Sequence, residues 1–340
     1  GNGIAPPKPT AEQIIQLFRS QQFERTDALG CGTICQNRDT HQVHLEKVLA
    51  IVQKESIIPK HFRVVLDSVN GAGGTAGQML LEALGCQVIC MNAEPTGRFA
   101  HAPEPTAENL TALCRQVAAE KADIGFAQDP DADRLAIVDE KGVYIGEEFT
   151  LALAAKQVFS RKKGAAAANL STSRMIDDIA SAAGCRVIRT PVGEAHVANA
   201  MIEHNCVIGG EGNGGIIDLR VGPVRDSLVG MALVLQLMAD AGKSVSQLAA
   251  EVGGYCMYKT KYSADTIQAQ AVIEKAKSLF ADALINTRDG CRLDLPDGWI
   301  HIRTSNTEPI MRVIIEAKEA AAADRYAKQI ERICGEVIGK

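Results

Sequence analysis

FRVVLDSVNGAGGTAGQMLLEALG, residues 62–85, decides the fold class. Its first part, FRVVLDSV, is a short apolar run of strand length and reads as a buried strand. The glycine-rich turn NGAGGTAG follows, and TAGQMLLEALG then carries a helical pattern stopped by Gly85. A buried strand fed through a tight turn into a helix is the start of a strand–helix–strand unit, which calls for a parallel or mixed sheet covered by helices.

Outward from this stretch the alternation continues. HLEKVLAIVQK precedes it as a helix, and CQVIC (86–90) follows as a strand. AENLTALCRQVAAEKA reads as a helix, and DIGFAQ and RLAIVD as strands. A second block repeats the plan, with helices at EEFTLALAAKQVFSR, SRMIDDIASAAG, EAHVANAMIEHN and SLVGMALVLQLMADAG and strands at CRVIRTPV and CVIGGE. After Gly254 the texture changes to a tyrosine-rich strand, a long helix over 264–281, two strand-like runs (GWIHIRTS and MRVIIEA) and a terminal helix. The expected class is therefore α/β, with two successive α/β units on mixed sheets followed by a smaller C-terminal α+β unit. In front stands GNGIAPPKPTAEQIIQLF, which opens on Gly and Pro as if entering partway through a domain. There Thr10 and Gln13 predict a capping box before a helix with Ile14, Leu17 and Phe18 on one face.

The bulk composition narrows the function. The chain has 340 residues, 46% hydrophobic and 23% charged, and a formal net charge of −5. That balance gives no general attraction for nucleic acid or an anionic membrane, so an anionic ligand must be held by a local cluster of basic groups. No apolar run approaches the ~20 residues of a membrane span. The ten cysteines read as small buried residues of a reducing cytoplasm, with zinc a distant second because Cys31 and Cys35 have no companion pair.

Four polar stretches carry chemistry. QDPDADR (128–134) places Asp129, Asp131 and Asp133 at alternate positions between two strands. A calcium loop fails here, since Arg134 stands where that loop needs glycine and the flanks are not helical. A polar turn remains open, and so does a divalent-metal site in which three hard oxygen ligands suit Mg²⁺ and leave room for a phosphate oxygen. GGEGNGG (209–215) frames Glu211 and Asn213 with glycines, which lets a ligand approach the backbone while two side chains meet hydroxyls. RTSNTEP (303–309) with Arg312 reads as an oxyanion cradle made of Arg303, Ser305, Asn306, Thr307 and Arg312. In TPVGEAHV (190–197), Glu194 fits either helix-end electrostatics or a sugar contact.

Two other features are read structurally. NGAGGTAG also fits a dinucleotide-binding turn, with Glu94 about where a ribose-binding acid would lie, but glycines serve tight turns for geometric reasons alone. NLSTSR (169–174) reads as a helix cap, and neither Ser171 nor Ser173 is assigned as a nucleophile because no histidine stands near them in sequence.

QDPDADRLAIVD, TPVGEAHVANAM, GGEGNGGIID, RDSLVGMAL and RTSNTEPIMRVIIEA, in that order, resemble the successive signatures of the α-D-phosphohexomutase superfamily over nearly the whole chain. The resemblance implies four domains around a cleft: 1–43 as the end of the first, 44–146 the second with the metal loop, 147–254 the third with the sugar loop, and 255–340 the fourth with the phosphate loop. It implies an isomerase that interconverts hexose 6-phosphate and hexose 1-phosphate through a phosphoserine and a hexose 1,6-bisphosphate. Asp129, Asp131 and Asp133 would bind Mg²⁺, and Arg134 would act on the reactive phosphate. Glu194, Glu211 and Asn213 would contact the sugar, while Arg303, Ser305, Asn306, Thr307 and Arg312 would grip the other phosphate. The family's serine loop, Thr-Ala-Ser-His-Asn-Pro, is absent from these 340 residues, so the chain is expected to bind a phosphosugar without turning it over alone. A non-catalytic phosphosugar-binding protein is the alternative. The expected partners are a small phosphosugar, no nucleic acid and no membrane, with a monomer or dimer.

Overall fold

The computed structural model describes residues 3–6, 8–304 and 309–339. Its order opens with helices α1 (Lys8–Ser20), α2 (Thr40–Leu49) and the short α3 (Lys54–Ile57). Then come β1 (Arg63–Asp67), α4 (Gly74–Ala83), β2 (Gln87–Met91), α5 (Thr111–Glu120), β3 (Ile124–Gln128) and β4 (Leu135–Val138). These strands form a sheet in the order β2-β1-β3-β4. The first three are parallel, with Val64 between Val88 and Ile124, and β4 turns back antiparallel to β3.

The second sheet repeats that plan. The chain runs through α6 (Glu148–Arg161), β5 (Ala166–Asn169), α7 (Met175–Ala182), β6 (Val187–Thr190), α8 (Glu194–Glu203), β7 (Ile208–Glu211), β8 (Gly215–Ile217), α9 (Ser227–Ala241) and α10 (Val245–Val252). The order is β6-β5-β7-β8, again with three parallel strands and one antiparallel edge. In both sheets the loops at the C-terminal ends of the parallel strands are where polar ligand groups collect in open α/β folds.

The third sheet is antiparallel, in the order β10-β11-β12-β13-β9. It is built from β9 (Cys256–Ser263), α11 (Thr266–Leu279), β10 (Leu284–Asn286), β11 (Cys291–Leu295), β12 (Gly298–Thr304), β13 (Ile310–Ala317) and α12 (Ala320–Ile338). Asp265 and Gln268 close a capping box at the start of α11.

One helix explains how the first two sheets are joined. α9 is apolar around its whole circumference and buried from Ser227 to Ala239, as a helix surrounded by protein must be. It packs on α2, α3 and α4 on one side and on α6 on the other. Val64, Ile124, Ala166 and Ile208 thus share one core with Val229 and Leu233. Its start is fixed by Asp226, whose carboxylate accepts from Leu228 N at 2.8 Å. The third sheet has its own core, around Leu293, Ile300 and Ile315. Among the described residues no single helix is long and apolar enough to cross a membrane.

Several expectations change. α1 starts at Lys8, so Thr10 lies inside the helix, and Ile14, Leu17 and Phe18 are 54%, 49% and 76% exposed. Only Cys206, Cys291 and Cys334 are fully buried, whereas Cys31 and Cys35 are exposed and all ten thiols are free. β5 was not expected, because GAAAAN lacks the β-branched residues that mark a strand; β8, β10 and β11 were also missed.

Candidate functional site

The acidic loop joins β3 to β4, and ligand oxygens of Asp129, Asp131 and Asp133 all lie within 4.8 Å of one another. Asp129 is buried and Asp131 exposed. Ala132 takes a left-handed φ of 59°, which folds the three carboxylates onto one side of so short a loop. Burial pushes the Asp133 carboxyl up to about 6, with Asp129 and Asp131 acting in the same direction and Arg225 against them. Arg134 grips Asp129 twice, through its backbone N–H at 3.0 Å and its Nε at 2.7 Å. Three hard oxygen donors this close form a donor set that fits a small divalent cation.

The glycine turn after β1 serves this loop. A Cβ at Gly71 would sit 2.4 Å from the Pro130 carbonyl oxygen, and Ala72 N donates to that same oxygen at 2.7 Å. The space freed by the glycine is filled by the acidic loop, which accounts for the glycine geometrically.

Arg225, between β8 and α9, is the residue the sequence reading passed over. Its guanidinium pairs with Asp133 from the acidic loop, with Glu194 at 3.0 Å and with Glu211 at 2.7 Å. A single arginine in PVRDSL has no pattern that would single it out. Gly215 leaves room for it, since a Cβ there would lie 2.2 Å from Arg225 Cδ. The other Glu211 oxygen accepts from Asn169 Nδ2 at 2.6 Å and from Gly193 N at 3.0 Å. Glu211 is thus buried and already held by three protein donors. Glu194 is the first residue of α8, after the N-cap Gly193, and Arg225 is its ion-pair partner.

The basic side comes from the third sheet. Arg303 on β12 stands directly opposite Arg312 on β13, and Lys261 on β9 stands opposite Arg312 on its other side. Like charges in register repel and destabilise the pairing unless an anion lies among them. Arg303 has Asp289 3.3 Å away, but its Nε is buried without a hydrogen-bond partner. Among the described residues no carboxylate forms an ion pair with Arg312. Ser305, Asn306 and Thr307 lie outside the described residues.

Glu194, Glu211, Asn213, Arg225, Arg303 and Arg312 line one cavity of about 500 Å³. Asp129, Asp131 and Asp133 are not among its walls and connect to it through Arg225. Two further charged groups that the sequence reading did not single out also line it, Glu148 and Lys259, paired at 3.0 Å. Burial pushes Glu148 up to about 7 against the pull of that lysine. Ser171 reaches the cavity too, and its hydroxyl meets His301 at 2.9 Å across 130 residues of chain.

Comparison with known proteins covers most of the chain. The family described as phosphoglucomutase/phosphomannomutase matches with its alpha/beta/alpha domain II over residues 42–142, its alpha/beta/alpha domain III over 147–255 and its C-terminal domain over 260–333. A phosphoglucomutase/phosphomannomutase of Thermococcus kodakarensis is 37% identical over 331 residues, 96% of this chain and 72% of that one. A probable phosphoglucosamine mutase of Methanopyrus kandleri is 33% identical over 337 residues, 97% of this chain and 74% of its own length. The crystal structure of a phosphoglucomutase/phosphomannomutase family protein from Burkholderia thailandensis superposes with a TM-score of 0.85 at 24% identity, covering 98% of this chain and 71% of that one.

Proposed function

The chain belongs to the phosphoglucomutase/phosphomannomutase family, the α-D-phosphohexomutases, and from that premise we propose that it binds a hexose phosphate in the cavity between Glu211 and Arg312. The reaction it serves is the interconversion of hexose 6-phosphate and hexose 1-phosphate by way of hexose 1,6-bisphosphate.

The observation that carries this reading is the division of the cavity. One wall holds Arg303 and Arg312, opposed in register, with the Asp289 carboxylate 3.3 Å from Arg303 as the one ion-pair partner of the two among the described residues. The other holds Glu194 and Asn213 beside Arg225, whose charge Glu194 and Glu211 already offset, so this side presents acceptors and an amide that suit hydroxyl groups. A ligand with an anionic end and a polyhydroxylic middle satisfies both walls. Arg303 and Arg312 take the phosphate that does not react, together with Ser305, Asn306 and Thr307. Glu194 and Asn213 orient the ring. Glu211 acts chiefly by holding Arg225 and Asn169 in place, because its oxygens are committed to them.

Arg134 closes the acidic loop, where its Nε steadies Asp129 and one outer nitrogen lies 3.5 Å from Glu104; the guanidinium is the group that meets the phosphoryl group in transfer. Asp129, Asp131 and Asp133 are the residues that would hold Mg²⁺, which supplies charge neutralisation to that group.

Calorimetric titration with glucose 1-phosphate tests the reading. Arg303→Ala removes a charge-assisted pair of about 1.5–3 kcal/mol, so affinity is expected to fall at least tenfold. Unchanged affinity would remove Arg303 from the phosphate grip.

A further inference from the structure

Ser171 lines the cavity from the loop between β5 and α7, and none of the roles above uses it. Its backbone is fixed, because its N–H donates to Asn169 Oδ1 at 2.8 Å. Its side chain is fixed as well, with Oγ 2.9 Å from His301 Nδ1. His301 lies on β12 with no exposed surface, and its Nε2 is 2.7 Å from the carbonyl oxygen of Asp289.

The direction of the Ser171 hydrogen bond follows from these contacts. A carbonyl only accepts, so His301 Nε2 carries a proton. Burial keeps the ring neutral by pushing its titration down to about 4, with Arg292 and Arg303 adding to the effect against the pull of Asp289. A neutral imidazole protonated on Nε2 has a bare lone pair on Nδ1. Among the described residues, the hydrogen that fills it belongs to the Ser171 hydroxyl, 2.9 Å away. That hydrogen is committed to His301, and Oγ turns only lone pairs towards the cavity.

We propose that Ser171 is a specificity residue of this cavity, an acceptor for a hydrogen-bond donor on the hexose ring, either a hydroxyl or an ammonium group. The inference rests on the reading of the cavity as a hexose phosphate site and adds which end of the ligand Ser171 meets. A free serine could rotate and donate to a phosphate oxygen. This one would leave His301 Nδ1 buried and unpaired, a penalty large compared with one new hydrogen bond. Nor does the pair resemble an activated nucleophile, since so weakly basic an imidazole is poorly matched to deprotonating a hydroxyl at neutral pH.

The test is calorimetry on the 340-residue chain and its Ser171→Ala variant. The probes are glucose 1-phosphate, its singly deoxygenated ring analogues, glucosamine 1-phosphate and inorganic phosphate. Ser171→Ala is expected to weaken glucose 1-phosphate roughly three- to tenfold and to leave inorganic phosphate unaffected. One deoxy analogue should bind wild type and variant equally, which identifies the donor as that hydroxyl; a larger loss for glucosamine 1-phosphate identifies it as the ammonium group. Ser171→Thr, which keeps both the oxygen and the His301 bond, should restore the wild-type pattern and so separates recognition from folding. An equal loss for inorganic phosphate, or no loss for any sugar, overturns the proposal while hexose phosphate binding stands. A wild-type chain that binds none of the sugars overturns both.

Discussion

Arg225 holds three carboxylates that arrive from three separate segments, Asp133, Glu194 and Glu211. Removing one partner of a largely buried ion cluster leaves the others uncompensated. Arg225→Ala is therefore expected to lower the unfolding free energy by about 3 kcal/mol or more, read from urea denaturation. A loss within experimental error would show that solvent already screens the cluster. His301 makes a second residue-scale prediction. Its ring titrates at 6.5 when unperturbed and near about 4 in the folded protein. Between those values the unfolded chain binds the extra proton, so the stability the neutral ring contributes is complete above pH 6.5 and is lost as pH falls through 4. Glu148, raised from 4.5 to about 7, acts in the opposite sense over an overlapping range, so the histidine leg is isolated by difference. His301→Gln should flatten the loss of stability on acidification, and a pH slope equal to wild type would contradict the burial argument. At this scale the acidic loop was legible, because three aspartates at alternate positions form a local pattern. The Ser171–His301 pair was not, since the partners meet only after two sheets have folded together.

Glycines at the element scale show how a strand-to-helix turn can be misread. NGAGGTAG has the spacing of a nucleotide-binding turn, yet Gly71 is small because Pro130 of the acidic loop lies against it. Gly71→Ala must displace one loop or the other, at about 1–3 kcal/mol. The same displacement should spread the aspartates. We expect saturating Mg²⁺ to raise the melting temperature of the wild type, as ligand binding to the folded state requires, and Gly71→Ala to lose most of that rise. A full Mg²⁺ response in the variant would mean that the loop's shape does not depend on this contact. Long helices and buried strands were readable from periodicity, and α6, α9, β1 and β3 fall where their patterns place them. β5 was hidden by its alanines, and β8 and β10 by their length of three residues each, too short to show a period.

The whole molecule explains why the cavity exists. The first two sheets share one core around α9, while the third sheet brings Arg303 and Arg312 to the same cavity on its own core. The order of sheets follows from the alternation of strands and helices along the chain. The meeting of Arg225 with Asp133 does not, because it depends on how the sheets pack. The central claim is that one ligand spans the two walls of this cavity. A crystal structure of the chain with glucose 1-phosphate and Mg²⁺ tests it most directly. The phosphate is predicted between Arg303 and Arg312, with the ring against Glu194, Asn213 and Ser171. Ligand density elsewhere, for example among Arg161, Lys162 and Arg220 in the separate cavity beneath α6, would contradict the account.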